Sequence, residues 1–235
     1  HTILEKGIKE KIKVSQLSSK VAEFAEYLHG NLDGVIVNLA QDFSGTNNIP
    51  LLQKKGNFGT RFSPDASASR YIHTYGTTEF FKLFSKEDTP VLKHQFFEGN
   101  QIEPMFYVPA LPILLINGSE GLSTGFAQKI LPRSPKKITQ YIKDVIKGNL
   151  RPSKSNSLEP HYNGFNGTIE QGENPSQWLI KGIVNRVGVN KVQITEVPVG
   201  YDLRSYINVL DDLEEKKVIQ SYADKSEDDN FLFNV

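Results

Sequence analysis

The chain has 235 residues, 38% of them hydrophobic, enough for one large or two ordinary domains with a buried core. It has no cysteine, which excludes disulfides and thiolate metal sites, and its five histidines are scattered without the close spacing of a ligand set. The formal net charge is zero and no run nears the roughly 18 apolar residues that cross a bilayer, so the averages point to neither a polyanion nor a membrane.

The opening HTILEKGIKEK lacks the apolar centre of a signal peptide, so an intracellular protein is expected. Lys6, Lys9, Lys11, Lys13 and Lys20 outnumber Glu5 and Glu10 there, which suits either a solvated helix face or a surface for a polyanion. Leu17, Val21, Phe24 and Leu28 recur at helical spacing, and Gly30 is expected to end that helix. In NLDGVIVNLAQDF the residues Leu32, Ile36, Leu39 and Phe43 repeat the spacing, with Asn31 as N-cap and Asp33 at the positive end of the dipole. Two amphipathic helices joined at His29-Gly30 outline a helix-turn-helix or an ordinary helical hairpin. SGTNNIPLL and KKGNFGTRFSPDASAS follow, and their Gly, Ser, Asn and Pro content reads as loop. Glycines that let backbone approach closely, beside Asn47, Asn48, Lys54, Lys55, Asn57 and Arg61, suit a phosphate chain; they equally suit a solvated hairpin tip. Residues 71–75 are β-branched and aromatic enough for a short strand, Gly76 breaks it, and TTEFFKLF reads as a capped helix. Helices, loop and strand in that order make a winged helix-turn-helix.

From about residue 107 the character changes. VPALPILLING is a proline-punctuated apolar run, read as a linker into a buried strand, and GSEGLSTGF reads as a three-glycine loop. KKITQYIKDVIKG has Ile138, Ile142, Val145 and Ile146 on one helical face. After a polar loop, GTIEQ, QWLIKGIVN and KVQITEVP read as antiparallel strands. YDLRSYINVLDDLEEKK reads as a helix with Leu203, Ile207 and Leu210 as its stripe and Asp211, Asp212, Glu214 and Glu215 toward solvent. The expected fold class is α+β with a boundary near residue 110: a winged helix-turn-helix domain over 1–110, then an α+β domain with an antiparallel sheet over 111–235. Charge divides as well. Residues 1–150 carry 18 Lys+Arg against 14 Asp+Glu, and residues 151–235 carry 9 against 13, an asymmetry that suggests a polyanion-facing part and a part facing elsewhere.

Four stretches in order, YLHGN (27–31), GNFGTR (56–61), SRYI (69–72) and INGSEGLSTGF (116–126), resemble the DNA breakage-reunion region of type IIA DNA topoisomerases. The similarity runs through nearly the whole chain, and its forms are closer to the eukaryotic, viral and phage branches than to bacterial gyrase. The resemblance implies that the first domain is the winged-helix domain and the second the tower domain of an isomerase. Each protomer of a homodimer would cleave one strand of double-stranded DNA through a transient 5′-phosphotyrosyl link, opening it for passage of a second duplex. It also implies parts beyond these residues: an ATPase domain that uses ATP and an acidic TOPRIM module that holds Mg²⁺, in the same longer chain or in another subunit. No metal ligands are expected here, and the chain alone is expected to bind DNA without relaxing it.

At SRYI the resemblance makes Tyr71 the nucleophile. A phenol with a pKa of about 10 needs a positive environment or a base to act in that way near neutral pH. Arg70, planar and always charged, suits the phosphate oxygens as negative charge builds. Neighbours in extended backbone point to opposite faces, so either the chain turns at Arg70-Tyr71 or one of the two serves another subunit's site. His29 matches the second histidine of the family's Y-H-H-G-E stretch, where it would take the phenolic proton or donate to a phosphate oxygen; Leu28 and Asn31 depart from that pattern. Leu122 stands where the family has a wedge isoleucine that enters the base stack and bends the duplex. Lys13, Lys20, Asn47, Asn48, Lys54, Lys55 and Arg61 are then the phosphate contacts. The alternative is a non-catalytic winged-helix protein that binds or bends DNA and in which Tyr71 simply packs.

Overall fold

The computed structural model describes residues 1–24, 31–150, 158–174 and 176–235. A short helix, α1 (Thr2–Lys6), precedes β1 (Ile12–Lys13), which runs directly into α2 (Val14–Phe24). The turn expected at His29-Gly30 lies outside the described residues. Helix α3 (Leu32–Ala40) begins as its sequence requires: the Asn31 side chain accepts the Gly34 N–H at 3.2 Å, and Asp33 occupies the first turn.

Strands β2 (Leu52–Lys55) and β3 (His73–Gly76) complete an antiparallel sheet in the order β1-β3-β2. The stretch expected to be loop therefore contains a strand, and the strand expected over 71–75 begins later. The reason for the second difference is local: the Tyr71 N–H closes a turn on the Ala68 carbonyl at 2.9 Å, so the chain is not extended until His73. Val14 and Leu17 of α2, Ile36 and Ala40 of α3, and Leu52, Phe58 and Ile72 form one buried cluster between the helix pair and the sheet. Burial of each large side chain in it contributes roughly 1.5–3 kcal/mol.

Helix α4 (Thr78–Leu83) starts at Thr77, whose hydroxyl accepts the Phe80 N–H at 3.0 Å. A 3-10 helix (Lys86–Val91) and a hairpin of β4 (His94–Phe97) with β5 (Asn100–Pro104) come next, none of them marked by periodicity. VPALPILLING holds a helix, α5 (Ile113–Asn117), instead of a strand, because the Leu115 and Ile116 N–H groups turn back onto the Pro112 carbonyl. GSEGLSTGF is a hairpin instead of a loop: β6 (Ser119–Ser123) pairs with β7 (Phe126–Ile130) from Ser119↔Ile130 to Ser123↔Phe126.

Helix α6 (Pro135–Ile146) has the Ser134 cap and first-turn proline that favour a helix start. β8 (Thr168–Gln171) pairs with β9 (Trp178–Lys181), and QWLIKGIVN continues into β10 (Ile183–Arg186). Gly182 separates the two strands where the chain passes the Glu196 carbonyl too closely for a side chain: a Cβ there would lie 2.0 Å from it. β11 (Val192–Glu196), α7 (Leu203–Glu215), β12 (Ala223–Asp224) and β13 (Phe233–Asn234) complete a four-stranded sheet, β10-β11-β13-β12, covered by α7. Ile194, Val197, Leu210, Phe231 and Phe233 form the second buried cluster, with Leu203 and Ile207 of the expected stripe packed on it. The architecture is thus mixed helix and antiparallel sheet.

Candidate functional site

The segment that carries Tyr71 is fixed from both ends. Ile72 is buried in the first cluster, and its carbonyl accepts the Val14 N–H at 3.0 Å. On the other side the Ser69 carbonyl accepts the Ser15 N–H at 3.3 Å. The turn between them is stapled to the start of α2, and its two middle side chains have nowhere to go but outward. Tyr71 is 67% exposed, so it does not pack as the non-catalytic alternative requires. The Arg70 guanidinium carbon lies 4.7 Å from the Tyr71 ring centroid. The chain therefore turns at this point, and the two side chains lie against each other on one side of it. A permanent positive charge stands beside the phenol, where negative charge would build as its oxygen bonds a phosphorus.

The loop leading to that turn is held by a residue that carries no signal in the sequence. The buried Gln41 amide donates to the Phe58 carbonyl at 2.9 Å and to the Pro64 carbonyl at 3.0 Å, closing GNFGTRFSP into a fixed arch. Gly59 has φ +86°, and a Cβ there would meet the Pro64 carbonyl oxygen at 2.2 Å. Only a glycine fits.

Of the residues expected to meet phosphate, Lys13, Lys20 and Lys55 are exposed, Lys13 and Lys55 flanking His73 across the sheet. Four others are engaged within the protein. Arg61 is 7% exposed; one guanidinium nitrogen bonds Glu196 Oε1 and the other the Val197 carbonyl, each at 2.6 Å, and the group lies 4.9 Å from the Phe231 ring centroid. A guanidinium so enclosed is a tie between the two parts of the chain and is not available to DNA. Asn48 is likewise a tie: its amide donates to the carbonyls of Ile116, Arg133 and His161, and its oxygen accepts the Asn163 N–H. Asn47 donates to the Asn38 and Gln41 carbonyls, and Lys54 pairs with Asp42. Short polar side chains in a glycine-rich segment satisfy backbone carbonyls as readily as they meet phosphate, and here Asn47 and Asn48 bond carbonyls. His29 lies outside the described residues.

Leu122 stands near the tip of the β6–β7 hairpin and is 90% exposed, with Phe126 exposed beside it. An apolar side chain held out on a two-stranded arm has the shape of a wedge. Among the described residues no group of three or more His, Asp or Glu side chains is placed to hold a metal ion, and no helix is long and apolar enough to cross a membrane.

Helices packed on a three-stranded antiparallel sheet, an outward tyrosine–arginine turn and an apolar-tipped arm define the class: a mixed helix and antiparallel-sheet protein that presents a phenol at its surface. The family model of the DNA gyrase/topoisomerase IV A-subunit matches residues 1–235, and the chain belongs to that family. It is 36% identical over 222 residues to the probable DNA topoisomerase 2 of Dictyostelium discoideum, which covers 91% of this chain and 14% of that protein. It is 40% identical over 203 residues to DNA topoisomerase 2-beta of Homo sapiens, covering 84% and 12%. The crystal structure of the Plasmodium falciparum topoisomerase II DNA-binding, cleavage and re-ligation domain matches with a TM-score of 0.92 at 34% identity, over 99% of this chain and 32% of that one. These relatives are eukaryotic, the branch to which the FGTR and INGSEG forms are closer. The chain spans about an eighth of the length of these two curated relatives.

Proposed function

We propose that this chain is the DNA-binding and cleaving part of a type IIA DNA topoisomerase, with a winged-helix domain over 1–110 and a tower domain over 111–235. The observation that carries the reading is the Arg70–Tyr71 turn: an outward phenol with a guanidinium on its ring, rigidly stapled, in a chain of this family. The Tyr71 oxygen forms a bond to a backbone phosphorus of double-stranded DNA as the bond to the 3′ oxygen breaks. The phenol gives up its proton and the departing 3′ oxygen gains one, leaving a 5′-phosphotyrosyl ester that conserves the energy for resealing. Arg70 holds the non-bridging oxygens through that step. His29, by its position in YLHGN, is the group that takes the phenolic proton or supports the phosphate.

Lys13, Lys20 and Lys55 neutralise phosphates and make binding salt-dependent, while Leu122 enters the base stack from the tower side. The described residues offer no group of carboxylates and histidines that fits Mg²⁺. Its carboxylates belong to a TOPRIM module, and ATP to an ATPase module, in the same longer chain or another subunit. Two such protomers, each cutting one strand, open the duplex inside the cell compartment that holds it. This chain by itself binds DNA and leaves its supercoiling unchanged.

The test is denaturant trapping of covalent DNA–protein adducts in the complete enzyme. Wild type accumulates them and Tyr71→Phe does not, with DNA affinity retained. Adducts persisting in Tyr71→Phe at wild-type yield would show that another residue is the nucleophile.

A further inference from the structure

Two residues beyond Tyr71 the sheet sets a histidine between two lysines. β3 pairs with β1 through Lys13↔His73 and with β2 through Lys55↔His73. Directly opposed residues of antiparallel strands project from the same face, so Lys13, His73 and Lys55 form one row across the sheet. At the usual strand spacing the row is about 10 Å long. The neighbouring row, Ile12, Thr74 and Lys54, is centred on the opposite face, where Thr74 is fully buried and donates its hydroxyl to the Gln53 carbonyl. Lys13 and Lys55 are exposed and His73 is half-buried. A strand of duplex DNA carries one phosphate per about 3.4 Å of axis, so a row of this length meets two or three of them.

We propose that Lys13, His73 and Lys55 form a phosphate-binding row for the DNA strand that reaches Tyr71, and that His73 is its pH-dependent member. The identity of the ligand rests on the function proposed above; the row does not depend on cleavage. The charged groups facing His73 are Lys11 and Lys13 from the β1 side and Lys55 from β2, all positive. Burial first, and then the ammonium groups of Lys11 and Lys13, hold the imidazole below its ordinary value and favour its uncharged form in the free protein. A phosphate laid on the row reverses that balance and favours the imidazolium, which then donates to a phosphate oxygen. Binding therefore takes up a proton. Affinity rises as pH falls between the value of His73 in the complex and its lower value in the free protein, and is flat outside that window.

Fluorescence anisotropy of a labelled mixed-sequence duplex with the complete protein, over a salt series at about pH 6 and about pH 8, reads this directly. Wild type is expected to bind about three- to tenfold tighter at the lower pH, with a slope of log affinity against log salt steeper by about 1. His73→Gln is expected to lose both differences, and His73→Lys to bind tightly and steeply at both pH values. A wild-type protein indifferent to pH overturns the row, as does a His73→Gln protein that keeps the full difference. If His73→Gln does not fold, a His73→Lys protein that still weakens on going to about pH 8 overturns it equally. Adducts are scored on the same preparations. Binding that ignores pH, with normal adducts, sinks the row and leaves Tyr71 as nucleophile, whereas a pH-dependent row with adducts persisting in Tyr71→Phe sinks the cleavage reading alone.

Discussion

Arg61 sits in a glycine loop two helices downstream of a lysine-rich start, the setting in which a guanidinium usually meets a phosphate. Its partner is instead Glu196, 135 residues away, and nothing local in GNFGTR names that partner. The consequence is a separation of two effects that a phosphate contact would join. Lys13→Gln removes an exposed cation, and in the duplex-binding assay it is expected to lower the slope of log affinity against log salt by about 1 without loss of stability. Arg61→Gln is expected to leave that slope alone and to lower unfolding free energy in urea by about 3–5 kcal/mol, because it strands the Glu196 carboxylate in the interior. An unchanged urea midpoint with a reduced slope would return Arg61 to the phosphate contacts. His94 is a second side chain whose partners are backbone carbonyls. Its two ring nitrogens face the Ile102 carbonyl at 2.8 Å and the Thr89 carbonyl at 2.9 Å, an arrangement in which both must donate. Those bonds, Ile102 first, raise its pKa above the ordinary value of about 6.5. Its contribution to stability is thus complete below that ordinary value and is lost as pH rises through the higher folded-state value. The melting-temperature gap between wild type and His94→Gln is expected to shrink with rising pH across that window; a gap that stays constant would refute it.

Elements are legible where side chains do the specifying. Helices α3, α6 and α7 follow their apolar stripes, and α3 and α4 start at side-chain caps visible in the sequence, Asn31 and Thr77. What stays hidden is made by backbone. The β6–β7 arm has few buried side chains to create an alternating pattern, and its glycines read as loop although backbone pairing needs no side chain at all. The hairpin of β4 with β5 is hidden for the same reason. At the candidate site, Arg70 and Tyr71 are legible as a pair through the family motif, while the turn that puts both on one side depends on hydrogen bonds to Ser15 and Val14, more than fifty residues earlier. Because Leu122 touches little within the chain, Leu122→Ala is expected to change unfolding free energy by no more than about 0.5 kcal/mol. If the side chain is a wedge, energy transfer between dyes at the two ends of a short duplex is expected to fall toward that of straight DNA. Equal bending by the variant would leave the arm without that role.

Over the whole molecule, the stretch that reads most like a free DNA-facing loop is the joint. Asn48 reaches three carbonyls and one N–H of the second part, Asn117 and Ile49 exchange two backbone–side chain bonds of 2.8 Å, Arg61 is clasped by Glu196 and Val197, and Phe62 packs on Phe231 with ring centroids 4.9 Å apart. All of these leave from residues 48–62, between α3 and the Tyr71 turn. The second part is therefore joined to the segment that leads into the Tyr71 turn by side-chain ties that all leave from one arch. Such a joint is expected to make the two buried clusters unfold together. Trp178, the chain's only tryptophan, lines the cleft between the parts along with Asn47 and Arg61, so its fluorescence follows the joint, while far-ultraviolet circular dichroism follows the helices. In wild type the two urea transitions are expected to coincide. With Asn48→Ala and Arg61→Gln combined, the fluorescence transition is expected to move to lower urea and to separate from the helical one, since both changes remove cross-part bonds and the second also strands Glu196 at the joint. Transitions that shift together by the same amount would mean that the clusters are joined by contacts other than these, and that the arch is not what carries the coupling.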